Sequence, residues 1–481
     1  MSTKFERAIE IFKEICAIPH GTYNVDAISD YLADFGKSRG LRVIQDDLKN
    51  VIIFKDATPG YENEPAVMLQ GHMDMVAVCD FPNEKDMAKE GLDVVEEDGF
   101  LFAKNTSLGG DDGIALAYSL AILESDDIPH PALEAVFTVN EEVGMDGALG
   151  IDLSGCKSRR LLNIDSEEEG VITVSCAGGI RVHAELKGET EVVTAPCVFL
   201  SLDGLKGGHS GTEIHHGRAN GAHLLAEILL EILEEYDFHL ISMAAGEKDN
   251  AIPASASAEF LITDLGDRDE FMGFVEAIED HFKASYDGIE DSISLTVGIQ
   301  LPQEEKCFTK DDSENMLEYI VEVPDGVIKM CDSIDMVETS LNLGILKCTV
   351  DGLSADYALR SSVSAQKEEL VKRVLAVTET YGGSAETFGN YPAWEYVENS
   401  PFRDKTVAIY EKMYGKKPVV TGVHAGLECG ILSEKFDNLE AISIGPDLLD
   451  IHTTKERMDM ASAKRVWEYI LEILATKDGE I

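Results

Sequence analysis

Four short apolar runs, each followed by acidic residues or a histidine, constrain the fold of this chain more than any other feature of its sequence. The runs are residues 65–70, 133–139, 160–164 and 441–444. They alternate with helical patterns, of which residues 114–123 are the strongest, and this alternation is typical of an α/β fold. In open α/β sheets, ligands bind just beyond the carboxyl ends of the strands. The polar residues that follow the runs are therefore expected at one edge of one sheet.

The residues expected at this edge are of the kinds that bind divalent transition metals. They are His72, Asp74, Asp111, Glu141, Glu142, Asp165 and His452. Taken singly, each has a common alternative as a turn residue, a helix cap or a solvated side chain. Their coincidence favours a metal site, and the two imidazoles favour zinc. Two metals about 3.5–4 Å apart need a bridging carboxylate, which Asp111 at the helix entrance could provide.

The adjacent Glu141 and Glu142 offer one carboxylate for the metal and one for catalysis. If the segment is extended, neighbouring side chains point in opposite directions, which would separate the two roles. The spacing alone leaves open which glutamate has which role. Asp74 stands two residues from His72 and is expected to orient its imidazole through a hydrogen bond.

The length of 481 residues predicts two domains. Changes in pattern divide the chain into a discontinuous α/β domain, residues 1–178 and 389–481, interrupted by an inserted α+β domain, residues 179–388. The 40 basic and 90 acidic side chains give a net charge of −50, which argues against nucleic-acid and membrane partners.

The expected location is cytoplasmic. Nine cysteines without a Cys-x-x-Cys pair favour a reducing compartment. The N-terminal residues 1–17 have the pattern of an amphipathic helix and lack the apolar core of a signal peptide. No run approaches the roughly 18 apolar residues of a membrane span.

Eight sequence blocks carry a resemblance to a known family. Zinc exopeptidases related to aminoacylase and carnosinase resemble this chain at Gly71-His-Met-Asp-Met-Val76, Gly109-Gly-Asp-Asp-Gly113, Asn140-Glu-Glu-Val-Gly144 and Asn163-Ile-Asp-Ser-Glu167. The aminoacyl-histidine dipeptidases among them are similar also at Gly204-Leu-Lys-Gly-Gly-His-Ser-Gly211, Asn250-Ala-Ile-Pro253, Arg360-Ser-Ser-Val363 and Gly422-Val-His-Ala-Gly-Leu-Glu-Cys-Gly430. The resemblance spans residues 5–475 in matching order.

The resemblance implies a metal-dependent dipeptidase that cleaves Xaa-His (carnosine-like) and other short unblocked dipeptides. It implies two divalent ions, with Zn²⁺ favoured and Co²⁺ or Mn²⁺ as alternatives. Asp111 would bridge the ions. His72 and Asp165 would complete one site, and Glu142 with His452 would complete the other.

By the same resemblance, Glu141 is the general base for a metal-bridged hydroxide, and Asp74 supports the site. The inserted region would be a lid, in which His209 and Asn250 contact the substrate, in some relatives across a dimer. A homodimer is therefore expected. Arg360 would hold the substrate carboxylate. If the resemblance is set aside, the sequence indicates a glycine-flanked loop residue at His209 and a surface or salt-bridged arginine at Arg360.

Two alternatives to this function stay open. One is another amide hydrolase of the same family, either an N-acyl amino acid deacylase or a tripeptidase. The other is a non-catalytic homologue that binds peptides, against which the presence of Glu141 argues. Ala254, Thr453 and Thr454 depart from the family pattern, and these departures leave the preferred dipeptide open.

Overall fold

The computed structural model describes residues 2–80 and 85–481, which divide into two units. The first unit comprises Met1–Ser175, Tyr396–Gly422 and Leu427–Ile481, and the second comprises Cys176–Glu395 and Val423–Gly426. The first unit is thus discontinuous in the chain. Among the helices within these described ranges, none is both long and apolar enough to cross a membrane.

The N-terminal part of the first unit alternates strands and helices. Its elements are α1 (Ser2–Cys16), α2 (Asp26–Ser38), β1 (Arg42–Gln45), β2 (Val51–Lys55), β3 (Val67–His72), β4 (Val94–Glu97), β5 (Phe100–Ala103), α3 (Gly110–Glu124), β6 (Leu133–Thr138), α4 (Asp146–Gly150), β7 (Arg160–Asn163) and β8 (Val171–Cys176). Helix α3 is apolar around its whole circumference and is buried, because it packs between the sheet and α1.

The second unit is a layer of helices on an antiparallel sheet. Its elements are β9 (Gly178–Leu186), β10 (Thr190–Ala195), β11 (Cys197–Asp203), β12 (Gly208–His209), α5 (Gly221–Glu235), β13 (Phe238–Ala245), β14 (Ala251–Ile252), β15 (Ala256–Ile262), α6 (Arg268–Ser285), β16 (Ser294–Ile299), β17 (Gln303–Phe308), α7 (Lys310–Glu322), β18 (Gly326–Met330), β19 (Val337–Thr349), β20 (Gly352–Ser361), α8 (Ser364–Thr380) and β21 (Ser384–Tyr391). Its main sheet has the order β16-β11-β15-β13-β19-β20-β9-β21, with β18 beside β19. Helix α5 buries its apolar face in the core of this unit.

The C-terminal part completes the first unit. Its elements are α9 (Pro401–Tyr414), β22 (Val419–Val423), α10 (Glu428–Glu434), β23 (Glu440–Ser443), β24 (Leu448–Leu449), β25 (Arg457–Asp459) and α11 (Met460–Ala475). The sheet of this unit has the order β1-β2-β6-β3-β7-β23-β8-β22. Its central strands β6, β3, β7 and β23 are parallel to one another. These are the four runs predicted as strands, and all residues of β3, β6 and β7 are buried, as expected for a sheet covered on both faces.

Candidate active site

The carboxyl ends of the four central strands bring the predicted site residues of the first unit together. His72 is the last residue of β3, Asp165 follows β7, and Glu141 follows β6 after two residues. His452 lies in the loop between β24 and β25, which follows β23 in the chain. Parallel strands end at the same edge of a sheet, so residues distant in sequence converge there.

Five of these residues form two triplets that share Asp111. His72 Nε2 lies 3.0 Å from Asp111 Oδ1 and 3.4 Å from Asp165 Oδ1. His452 Nε2 lies 3.1 Å from Asp111 Oδ2 and 3.0 Å from Glu142 Oε2. In each triplet, one ligand atom per residue lies within 4.8 Å of the others. The two oxygens of Asp111 therefore face two separate groups of potential metal ligands.

The donor set of the two triplets fits two divalent cations. Two imidazole nitrogens and three carboxylates suit zinc and similar transition metals. Glu142 Oε1 is buried without a hydrogen-bond partner among the described residues. A buried carboxylate oxygen without a partner is costly, and a cation at the site would remove that cost.

The pKa values of the cluster reflect its excess of carboxylates. Hydrogen bonds with Asp111 and Glu142 raise the pKa of His452 to about 10. Burial raises the pKa of Asp165 to about 6, although His72 opposes this shift. Burial alone would lower the pKa of His72, but Asp165 and Asp111 raise it well above its usual value. Because metals bind neutral imidazole, metal binding would release these protons, and the metal affinity would depend on pH.

The orientation of the His72 ring is set mainly by a main-chain contact. Its Nδ1 lies 3.0 Å from the backbone carbonyl oxygen of Asp74, but 3.6 Å from Oδ1 of the Asp74 carboxylate. The hydrogen bond to the carbonyl directs Nε2 towards the triplets. At 3.6 Å the Asp74 carboxylate lies beyond hydrogen-bond distance of His72, so the backbone carbonyl of Asp74 takes the place of the expected side-chain acceptor.

The segment with Glu141 and Glu142 is not extended. Glu141–Val143 form one turn of 3-10 helix, preceded by Asn140 in the left-handed region with a φ of 55°. Successive side chains of a 3-10 helix point about 120° apart, so the two glutamates still point in different directions. Burial raises the pKa of Glu141 well above its usual value, and Asp165 adds to this shift.

Two further buried carboxylates of this unit had no predicted role, although both lie in blocks that resemble the family. Asp112 is 1% exposed and its Oδ2 accepts the backbone N–H of His72 at 3.2 Å. Glu428 is fully buried, and its Oε2 accepts hydrogen bonds from Gln70 Nε2 and Thr138 Oγ1, both at 2.6 Å. Both carboxylates support the ends of β3 and β6, where His72 and Glu141 stand.

The second unit brings together the three residues expected to bind substrate. His209 in β12 pairs with Ala251 in β14, and Ser210 N–H donates to the carbonyl of Asn250 at 2.9 Å. Arg360 is 7% exposed, so it is not a surface residue, and one of its N–H groups donates to Tyr391 Oη at 2.8 Å. Its Nε is buried without a partner among the described residues.

His424 joins this group and had no predicted role. A β-carbon on Gly211 would lie 3.0 Å from His209 Cε1, 3.2 Å from Arg360 Nε and 2.6 Å from the carbonyl oxygen of His424, so these residues meet around one glycine. His424 Nε2 lies 2.7 Å from Ser340 Oγ. Burial and the charge of Arg360 lower the pKa of His424 to about 3.

Comparisons with known proteins agree with this architecture. Residues 200–290 match the family model described as the peptidase dimerisation domain. The chain is 33% identical to the cytosol non-specific dipeptidase of Escherichia coli (strain K12) over 469 residues, which cover 97% of this chain and 96% of that protein. The crystal structure of aminoacylhistidine dipeptidase from Vibrio alginolyticus is 30% identical, with a TM-score of 0.93 over 99% of this chain and 97% of that one. Aminopeptidase PepT from Bacillus cereus, 16% identical with a TM-score of 0.58 over 98% of each chain, shares the fold alone.

A parallel sheet that gathers two ligand triplets at its carboxyl edge, with an antiparallel unit inserted in the chain, defines a metal-dependent hydrolase. The chain belongs to the M20 peptidase family. The predicted family, fold class and peptidase activity are confirmed by these comparisons. The roles of the individual site residues stay predictions.

Proposed function

We propose that the protein is a cytoplasmic dipeptidase that holds two zinc ions and cleaves Xaa-His dipeptides and other short unblocked peptides. The observation that supports this most is the position of Asp111, whose two oxygens face His72 and His452 separately. A pair of metal ions needs such a shared carboxylate. The residues that would hold the ions are His72, Asp111, Glu142, Asp165 and His452.

When bound, the ions would supply Lewis-acid chemistry, polarising the peptide carbonyl and lowering the pKa of a water molecule. Glu141 takes the proton of the attacking water and passes it to the leaving amine. Asp74 holds the turn that carries Glu141. His209 donates an N–H to the developing oxyanion. Arg360 and Asn250 bind the dipeptide, and an arginine on its carboxylate limits the enzyme to short peptides.

A substrate panel tests this proposal against its rivals. The zinc-loaded protein is assayed with carnosine, Xaa-His and other dipeptides, tripeptides and N-acetyl amino acids, and again after chelation. Turnover of dipeptides above the other classes, lost on chelation and restored by zinc, is the expected result. Preference for tripeptides or acylated amino acids would indicate the other hydrolases, and the absence of any turnover would indicate a peptide-binding homologue.

The proposed location and assembly have separate support. The absence of any Cys-x-x-Cys pair among the nine cysteines suits the cytoplasm, and one relative is named for the cytosol. The match of residues 200–290 to a peptidase dimerisation domain supports a homodimer. Light scattering should give twice the chain mass of 52.5 kDa, and a mass equal to one chain would contradict the dimer.

A further inference from the structure

The loop that leads to Asp111 is held by a buried glutamate that stands four residues after His452. Glu456 is 3% exposed. Its Oε2 accepts the backbone N–H groups of Leu108 at 2.7 Å and Gly109 at 3.1 Å. Its Oε1 accepts the N–H of Gly110 at 2.7 Å. Three consecutive backbone donors therefore point at one carboxylate, immediately before the proposed bridging ligand.

The local sequence is adapted to this arrangement. Gly109 has a φ of 68°, in the left-handed region that glycine adopts without strain. A β-carbon on Gly110 would lie 3.2 Å from Oε1 of Glu456 and 3.0 Å from Leu448 Cδ2. The two glycines thus let the backbone turn its N–H groups towards the carboxylate at close range. Successive N–H groups of this kind form a concave site for an anion, and hydrogen bonds to a charged acceptor are strong.

The same residue is also part of the loop that carries His452. The backbone N–H of Glu456 donates to the carbonyl of Thr453 at 3.3 Å, which closes the turn after His452. Directly after Glu456, β25 pairs with β5 and fixes the end of this loop in a sheet. One side chain therefore connects two loops that are far apart in sequence and that each supply a ligand to the triplet of Asp111, Glu142 and His452.

We propose that Glu456 is a positioning residue that sets the separation of Asp111 and His452, and through it the affinity of the ion site that these residues share with Glu142. The inference rests on the proposed two-metal function. The hydrogen bonds of Glu456 reach the backbone of both loops, and its charge also acts on the carboxylate of Asp111. Loss of such an outer support typically weakens metal binding about 10–100-fold.

The substitution Glu456→Gln tests this role, because it preserves size but leaves only one oxygen as an acceptor. In either orientation of the amide, its NH₂ group faces at least one of the three backbone N–H donors. Glu134→Gln is the matched control. Glu134 is 5% exposed, accepts the backbone N–H groups of Lys157 and Ser158, and lies at the end of β6 remote from Glu141.

The full-length protein and both variants are stripped with chelator and titrated with Zn²⁺ by calorimetry, and the unfolding midpoint of each metal-free protein is measured beside it. Wild type and Glu134→Gln should bind two ions with the same two Kd values. Glu456→Gln should keep one of these values and weaken the other about 10–100-fold. With Co²⁺ in place of zinc, the visible absorption band of the weakened site should also change in Glu456→Gln alone.

Wild-type Kd values for both ions in Glu456→Gln would overturn the inference, even if the variant unfolds at a lower temperature, since Glu456 would then serve stability only. A wild-type protein that binds fewer than two ions would contradict the proposed function and the inference together. If Glu456→Gln does not fold, Glu456→Asp replaces it, because the charge is kept but the carboxylate is one methylene too short. Selective weakening of one ion supports the inference, and two unchanged Kd values in Glu456→Asp reject it.

Discussion

Oδ1 of Asp74 accepts a hydrogen bond from the backbone N–H of Glu141 at 3.0 Å. The other carboxylate oxygen of Asp74 accepts one from Thr22 Oγ1, also at 3.0 Å, and the residue is 1% exposed. Asp74 is thus fixed between an early loop of the chain and the turn that presents the proposed base. The carboxylate of Asp74 therefore orients Glu141. His72 is oriented instead by the backbone carbonyl of Asp74.

Replacing Asp74 with asparagine should lower kcat while leaving both metals bound. Asparagine replaces the charged acceptor of the Glu141 N–H by a neutral amide oxygen, while the Thr22 hydroxyl can still accept from the amide NH₂, so the weakened contact is the one to the Glu141 turn. We expect a loss of about 10–100-fold in kcat, measured by steady-state kinetics together with metal analysis. Thr22→Val, which removes only one hydrogen bond to Asp74, should have the smaller effect. An unchanged kcat in Asp74→Asn would show that the turn needs no such anchor.

Asp111→Ala should remove both ions, because Asp111 is the carboxylate that the two triplets share. Asp165→Ala is the matched comparison, since Asp165 belongs to one triplet only and its loss should leave one ion bound. Metal content after dialysis, measured by atomic emission, distinguishes the two variants. Full metal content and full rate in Asp111→Ala would refute the bridging role.

His209→Ala should lower kcat strongly and leave the metals bound. A donor to an oxyanion typically contributes about a hundred- to a thousandfold to kcat. Metal content should not change, since His209 is not among the proposed ligands. The control is His216→Ala, which removes an exposed histidine of the same segment and should have wild-type kinetics. If His209→Ala turns over like wild type, His209 is the glycine-flanked loop residue of the alternative interpretation.

The second unit should lose stability in mild acid through His424. Its pKa in the folded protein is about 3, because burial and Arg360 disfavour the charged ring, against about 6.5 in an unfolded chain. Between these values the unfolded state binds more protons, so the free energy of unfolding falls as pH falls, by at most about 1.4 kcal/mol per pH unit. His424→Gln has no such proton to bind. Thermal unfolding of the metal-free proteins at pH 7 and pH 5 should show a smaller acid shift for the variant, and equal shifts would exclude this contribution.

The parts of the structure that the sequence could predict are those with a local signal. The strand that ends at His72 is a continuous apolar run, because both faces of a parallel sheet are covered. The helix after Asp111 is apolar all round for the same reason. The carboxyl ends of the strands then indicated where the ligands should meet.

The remaining parts depend on contacts between distant segments. Glu456 accepts hydrogen bonds from residues that are remote in sequence, so nothing in its neighbourhood distinguishes it from a surface glutamate. The sequence left the conformation at Glu141 open, and it is a turn because Asn140 is left-handed and the N–H of Met145 donates to its carbonyl. The partners of Asp74 likewise come from another loop.

A pair of isosteric variants tests most directly whether Glu141 and Glu142 have different roles. Metal content, dipeptide affinity and kcat are measured for Glu141→Gln and Glu142→Gln beside wild type. Glu141→Gln should keep both ions and bind dipeptide, yet lose about 10²–10⁴-fold in kcat, because an amide cannot accept the proton. Glu142→Gln should lose an ion as well as activity. Wild-type turnover in Glu141→Gln would contradict the mechanism, and loss of metal from that variant would mean that the two glutamates have the opposite roles.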